Sequence, residues 1–245
     1  MIKYHHLDAE TDFFCGLLEL QYGNAQIKKL QKLASEISWA QGWPTEKKAF
    51  WNAEAFLWKQ KISRQKRELI KNEILLFLSE KKESKAIRNN AVNIKSREEV
   101  KIKSRREADN LDLGCGAYSY LPSVGFDCSE EMLKLNEQCV QKIVGDIEKP
   151  LPFASAEFSS VTAIFVLNYI QNYFLLFSEI FRILKPAGKL VAVLSEKGVN
   201  DWQGQKEINH FLPKKWKNIF QENGFSVEMK ANESLLFFLC KKKEK

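Results

Sequence analysis

The sequence has no stretch approaching eighteen consecutive apolar residues, so no membrane-spanning helix is expected. Its first residues, "MIKYHHLDAETDFF", lack the apolar core of a signal peptide. Histidine is scarce, with three residues (His5, His6 and His210). The five cysteines, Cys15, Cys115, Cys128, Cys139 and Cys240, are scattered, odd in number, and never spaced as C-x-x-C. Those absences argue against a structural zinc site, any other metal site and a disulfide framework, and favour a reducing, cytoplasmic setting. No internal repeat is present.

What is present is enough apolar material, 44% of the chain, to bury a substantial core. The net charge of +7 is unevenly placed. Residues 1–110 carry 22 basic and 15 acidic side chains, whereas 111–245 carry 16 of each. Within the first part, 81–107 alone holds 10 basic and 4 acidic residues. The basicity is therefore mostly one segment, which has lost its aromatics and keeps only sparse Ile, Val and Ala.

Three regions follow. Residues 1–80 place apolar side chains three and four apart and predict a helical region, with Pro44 at a helix start. Trp39 and Trp43 fall on one helix face, as do Trp51 and Trp58. Residues 81–107 read as a charged linker or solvated helix, with a nucleic-acid-contacting arm as the alternative. From 108 to 245 short strands alternate with helices. Strands are expected near 110–113, 124–127, 141–145, 159–166, 189–194, 225–230 and 234–240. Helices are expected at 129–139, 172–184 and 213–223. Such alternation predicts an α/β fold, a Rossmann-like open sheet that is mostly parallel. The last two strands, joined only by Ala231–Glu233, must form an antiparallel edge hairpin.

Four strand ends carry candidate chemistry. In "LDLGCG", Leu111–Gly116, two glycines let the backbone turn sharply and approach a ligand. Asp127 ends the next apolar run, 11 residues after Gly116, where a carboxylate either accepts a pair of ribose hydroxyls or caps the following helix. Asp146 ends the third, where it accepts from a purine amine, flanked by Ile147, or caps a turn. The nearly continuous apolar run Val161–Leu167 is that of a strand buried on both faces, with Asn168 and Tyr169 at its exit. A dinucleotide site would want G-x-G-x-x-G and a helix to receive a pyrophosphate. Here Ser119 stands where the third glycine would be, and "AYSYLPS" leaves room for about one turn before the next strand.

Taken in order, "LDLGCG", "GFDCSEEML", "GDIEKPLPF", "FSSVTAIFVLNYI" and "ILKPAGKL" resemble the class I S-adenosylmethionine-dependent methyltransferase family. The likeness is to its small-molecule, methyltransferase-type-11-like branch and covers about residues 108–240. The resemblance implies S-adenosylmethionine as cofactor, with the glycine motif at its methionine part, Asp127 at the ribose and Asp146 at the adenine. The implied cofactor set is Asp112, Gly114, Cys115, Gly116, Tyr118, Asp127, Cys128, Asp146, Ile147, Val166 and Asn168. The catalytic residue is unassigned, with Asn168 and Tyr169 as candidates. Three positions depart from the family pattern: the missing helix after Gly116, Ser159 in place of an Asp, and Ala187 in place of a Gly. The first leaves Tyr118 and Tyr120 near the methionine end.

A sulfonium is already an activated electrophile, so such a protein mainly aligns a nucleophile with the methyl group. The expected acceptor is a small molecule, bound with the help of the N-terminal helices. An RNA acceptor, using 81–107, and a protein acceptor are the alternatives. No membrane partner is expected, and the sequence is silent on oligomeric state.

Overall fold

The computed structural model describes residues 8–21, 26–79, 108–196 and 206–243. The basic segment 81–107, His5 and His6 lie outside them. Four helices come first: α1 (Ala9–Gln21), α2 (Ile27–Glu36), α3 (Lys47–Lys61) and α4 (Arg64–Ser79). Pro44 does not begin a helix. Glu46 does, its carboxylate accepting from the Ala49 amide as an N-cap. Trp39 and Trp43 sit in the turns between α2 and α3 rather than on a helix face. Both rings pack edge-on against Phe13.

Seven strands follow: β1 (Asn110–Leu113), β2 (Ser123–Asp127), β3 (Cys139–Val144), β4 (Phe158–Ile164), β5 (Leu184–Ser195), β6 (Phe225–Asn232) and β7 (Leu235–Lys242). Between them lie α5 (Glu130–Leu135), a 3₁₀ turn (Leu167–Tyr169), α6 (Tyr173–Ile183) and α7 (Pro213–Glu222). The sheet order is β3-β2-β1-β4-β5-β7-β6, with β1 to β5 parallel and β7 antiparallel to both neighbours. The edge hairpin turns through Glu233 and Ser234, both at positive φ, which matches the right-handed strand twist in a two-residue turn.

Alternation along the strands explains the layering. Leu190, Ala192 and Leu194 of β5, with Leu236, Phe238 and Cys240 of β7, face α6 and α7. Val191 and Val193, with Leu235, Phe237 and Leu239, face the other way. That second face is covered by Ala55, Trp58, Ile70, Ile74 and Phe77 of α3 and α4. Because both faces are buried there, Leu190–Leu194 and Leu235–Cys240 read as unbroken apolar runs. A separate core of Phe13, Leu17, Leu30, Trp43, Phe50 and Leu57 binds α1, α2 and α3 to one another.

α5 is shorter than its sequence promised, ending at Leu135, because Asn136 leaves helical backbone and turns its side chain inward. That residue, with no exposed surface, fills the place of the absent helix. Its amide nitrogen donates to the carbonyl of Gly116 (2.9 Å) and to Ser119 Oγ (3.0 Å). Its amide oxygen accepts from the backbone of Ser119 and Gln138. Residues 114–122 thus run without a helix, with the Gly116 carbonyl and the Ser119 amide and hydroxyl satisfied by Asn136.

Candidate functional site

At the sheet centre the connections from β1 and β4 leave in opposite directions, opening a crevice at the carboxyl ends of the strands, where open α/β sheets bind ligands. β1 exits through Gly114 (φ +60°) and Gly116 (φ +56°), a left-handed path that favours glycine. A Cβ on Gly114 would run into the Val166 side chain, so this turn lies hard against the β4 exit.

Asp127, at the tip of β2, is almost wholly buried. One carboxylate oxygen accepts from the Gly116 amide at 2.9 Å, the other from the Ser129 amide at 2.8 Å. Burial pushes its pKa up, opposed by those two amides. Asp112, one strand over, is also buried and accepts from Thr162 Oγ1 at 2.7 Å. Its pKa is pushed up to about 6, chiefly by burial, with the charge of Asp127 adding to it. Ser129 caps α5 by accepting from the Met132 amide, and its hydroxyl donates to Asn52 Oδ1 on α3 at 2.7 Å.

Asp146, after β3, accepts from the Glu148 amide at 3.0 Å and from Lys47 Nζ at 3.3 Å. Lys47 also donates to Glu148 at 2.7 Å. Burial works against the Lys47 charge, but the two acids outweigh it and raise its pKa. Glu148 in turn accepts from the Gln171 and Asn172 amides, tying this loop to the start of α6.

The crevice becomes a cleft because α3 lies over it. Lys47, Trp51 and Trp58, at positions i, i+4 and i+11, share one helix face and supply one wall. The cleft encloses about 550 Å³, part of it open to solvent. Of the residues expected from sequence, Gly114, Gly116, Asp127, Cys128, Asp146, Ile147, Val166 and Tyr169 line it. Asp112, Cys115 and Tyr118 line a smaller hollow at the β1 tip, together with Tyr120, and Trp58, Ile164 and Phe165 border both spaces. Asn168 lines neither; its carbonyl accepts from the Ile208 and Asn209 amides. His210 is exposed, 3.5 Å from Glu207, and lies outside the cleft.

Sequence reasoning missed Lys47, Met132, Phe165 and Ile170. The pairing of Trp51 with Trp58 was legible, and Lys47 lies four residues before Trp51 on the same face. Trp51 meets the Tyr169 ring edge-on at 4.9 Å. Tyr118 and Tyr120 meet at 5.2 Å, with the Arg67 guanidinium over the Tyr118 ring. The buried hydroxyls of Tyr120 and Tyr169 have no hydrogen-bond partner among the described residues.

Residues 111–192 match the family model described as "Methyltransferase domain". A demethylmenaquinone methyltransferase of Staphylococcus carnosus is 35% identical over 100 residues, 34% of this chain and 41% of the relative. The chain thus spans about two fifths of that relative's length. One from Staphylococcus saprophyticus is 26% identical over 174 residues, 52% of this chain and 73% of the relative. A solved S-adenosylmethionine-dependent methyltransferase from Mesorhizobium loti is 16% identical with a TM-score of 0.45, covering 54% of this chain and 90% of the other.

Proposed function

Residues 111–192 belong to the class I S-adenosylmethionine-dependent methyltransferase family, and on that premise we propose that the protein methylates a small apolar acceptor held beneath α3. The observation that carries this reading is the pairing of a glycine turn with a buried strand-tip acid and no helix behind them. A pyrophosphate needs that helix. A sulfonium nucleoside does not.

The residues present fit the cofactor. Asp127 spends one acceptor position of each oxygen on a backbone amide, leaving the others for two adjacent hydroxyls. Ile147 and Val166 offer apolar flanks for a planar base. Asp146, held between Lys47 and the Glu148 amide, is the acid available to an exocyclic amine. When bound, the cofactor supplies a methyl group on an activated sulfur. The chain's share is alignment and the exclusion of water, which Trp51, Trp58, Phe165 and Ile170 serve as apolar walls. Of the two catalytic candidates, Tyr169 is the one that reaches the cleft.

A small-molecule acceptor agrees with the substrate that the relatives' names give, demethylmenaquinone. The competing RNA reading rests on the charge of 81–107. Incubating the protein and S-adenosylmethionine with separate metabolite, quinol and tRNA pools, and following S-adenosylhomocysteine, tests both. Turnover with tRNA alone, lost at high salt or on deleting 81–107, would replace the proposal with the RNA reading. Absence of cofactor binding by calorimetry would remove both.

A further inference from the structure

Two thiols meet behind the cofactor turn. Cys115 lies between the two left-handed glycines, and Cys139 opens β3, two strands away. Gly125 of β2 separates them, and its missing side chain makes room for both. A Cβ there would overlap Cys139 Sγ and stand 3.0 Å from Cys115 Sγ. The two sulfurs therefore crowd one point above β2. Ser119 Oγ lies 3.4 Å from Cys139 Sγ. Cys115 is buried, whereas Cys139 is partly exposed, so an oxidant reaches Cys139 first.

We propose that Cys115 and Cys139 are an oxidisable pair, closed by a peroxide into a disulfide that fastens the cofactor turn to β3. The Cys139 thiolate attacks a peroxide oxygen: an S–O bond forms, the O–O bond breaks, and hydroxide leaves, taking up the proton Cys139 lost. The Cys115 sulfur then attacks the sulfenic sulfur: an S–S bond forms, the S–O bond breaks, and water leaves with the Cys115 proton. Two thiols lose two electrons, and the peroxide becomes two waters. The thiol chemistry is already divided for these roles. The neighbouring thiol lowers the Cys139 pKa, while that same neighbour and burial raise the Cys115 pKa. Closing the bond draws the two sulfurs together and so pulls on residue 115, next to the Gly116 amide from which Asp127 accepts.

The test treats the full chain with hydrogen peroxide and reads two things. Intact mass and peptide mapping are expected to show a monomer that has lost two hydrogens, with 115 joined to 139. The link disappears in Cys115→Ser and in Cys139→Ser, whose melting curves report whether each remains folded. S-adenosylmethionine affinity, measured by calorimetry, is expected to fall roughly tenfold or more on oxidation and to return with dithiothreitol. That second readout rests on the proposed function, whereas the cross-link does not. Failure of the reduced protein to bind cofactor would count against the function alone. Oxygen addition to Cys139 without a 115–139 link would overturn the pair, and an oxidised protein binding as tightly as the reduced one would overturn its effect on the turn.

Discussion

The Asp127 carboxylate and the Gly116 amide are 11 residues apart in sequence and 2.9 Å apart in space. One acid thereby fixes the glycine turn and faces the cleft. Asp127→Ala is expected to weaken S-adenosylmethionine binding by about 1.5–3 kcal/mol, as when one partner of a buried polar contact is removed. Calorimetry on the folded variant is the check, and unchanged affinity would remove Asp127 from the ribose role.

The two glycines of the turn are expected to fail differently. An added methyl at Gly114 collides with Val166, so Gly114→Ala should lose about 2 kcal/mol of stability or more. At Gly116 the nearest obstacle is Trp58 Nε1, 3.4 Å from an ideal Cβ. Gly116→Ala should therefore fold, losing only about 1 kcal/mol to left-handed backbone, yet bind cofactor less well. Denaturant titration alongside calorimetry separates the two; equal stability losses would contradict the packing described.

Asn136 satisfies the turn that lacks a helix. Asn136→Ala leaves the Gly116 carbonyl and the Ser119 amide short of partners in a buried place, and should cost about 2–3 kcal/mol. A urea midpoint shift smaller than that of an ordinary surface substitution would show that water replaces it.

Asp112 gives a pH signature. Its folded pKa is raised to about 6 from 3.8, so between these values the native state holds the proton more tightly than the unfolded chain. For this acid, stability is present at low pH and lost as pH rises through that window, on the order of 2–3 kcal/mol in all. Asp112→Asn should therefore gain on the parent protein as pH goes from about 4 to about 7. Thermal melts of both across that range decide it, and a difference independent of pH would reject the burial argument.

Ala187 occupies the left-handed region at φ +57°, where the resembling family has glycine. Ala187→Gly relieves that backbone at the expense of a more flexible unfolded chain, for a net gain of about 0.5–1 kcal/mol. A rise of about 1–3 °C in melting temperature is expected.

The parallel sheet was legible because its strands are either apolar runs or end in Gly and Asp, signals carried by adjacent residues. The hairpin was legible from a linker too short to cross over. The extent of α5 was not, because Asn136 is called out of the helix by carbonyls twenty residues earlier. Nor was the position of Asn168 outside the cleft lining, where its carbonyl accepts from the Ile208 and Asn209 amides forty residues later. Lys47 stayed hidden for the same reason: its partners Asp146 and Glu148 are about a hundred positions away. Local pattern reveals elements and strand tips, whereas side chains recruited across the fold reveal themselves only in three dimensions.

The placement of α3 divides inheritance within the molecule. The residues proposed to grip the cofactor, from Asp112 to Val166, fall inside the stretch matched by the family model, whereas Lys47, Trp51 and Trp58 fall outside it. In the proposed function the acceptor wall thus comes from a helix outside the matched stretch, and Lys47 on that same helix also braces Asp146.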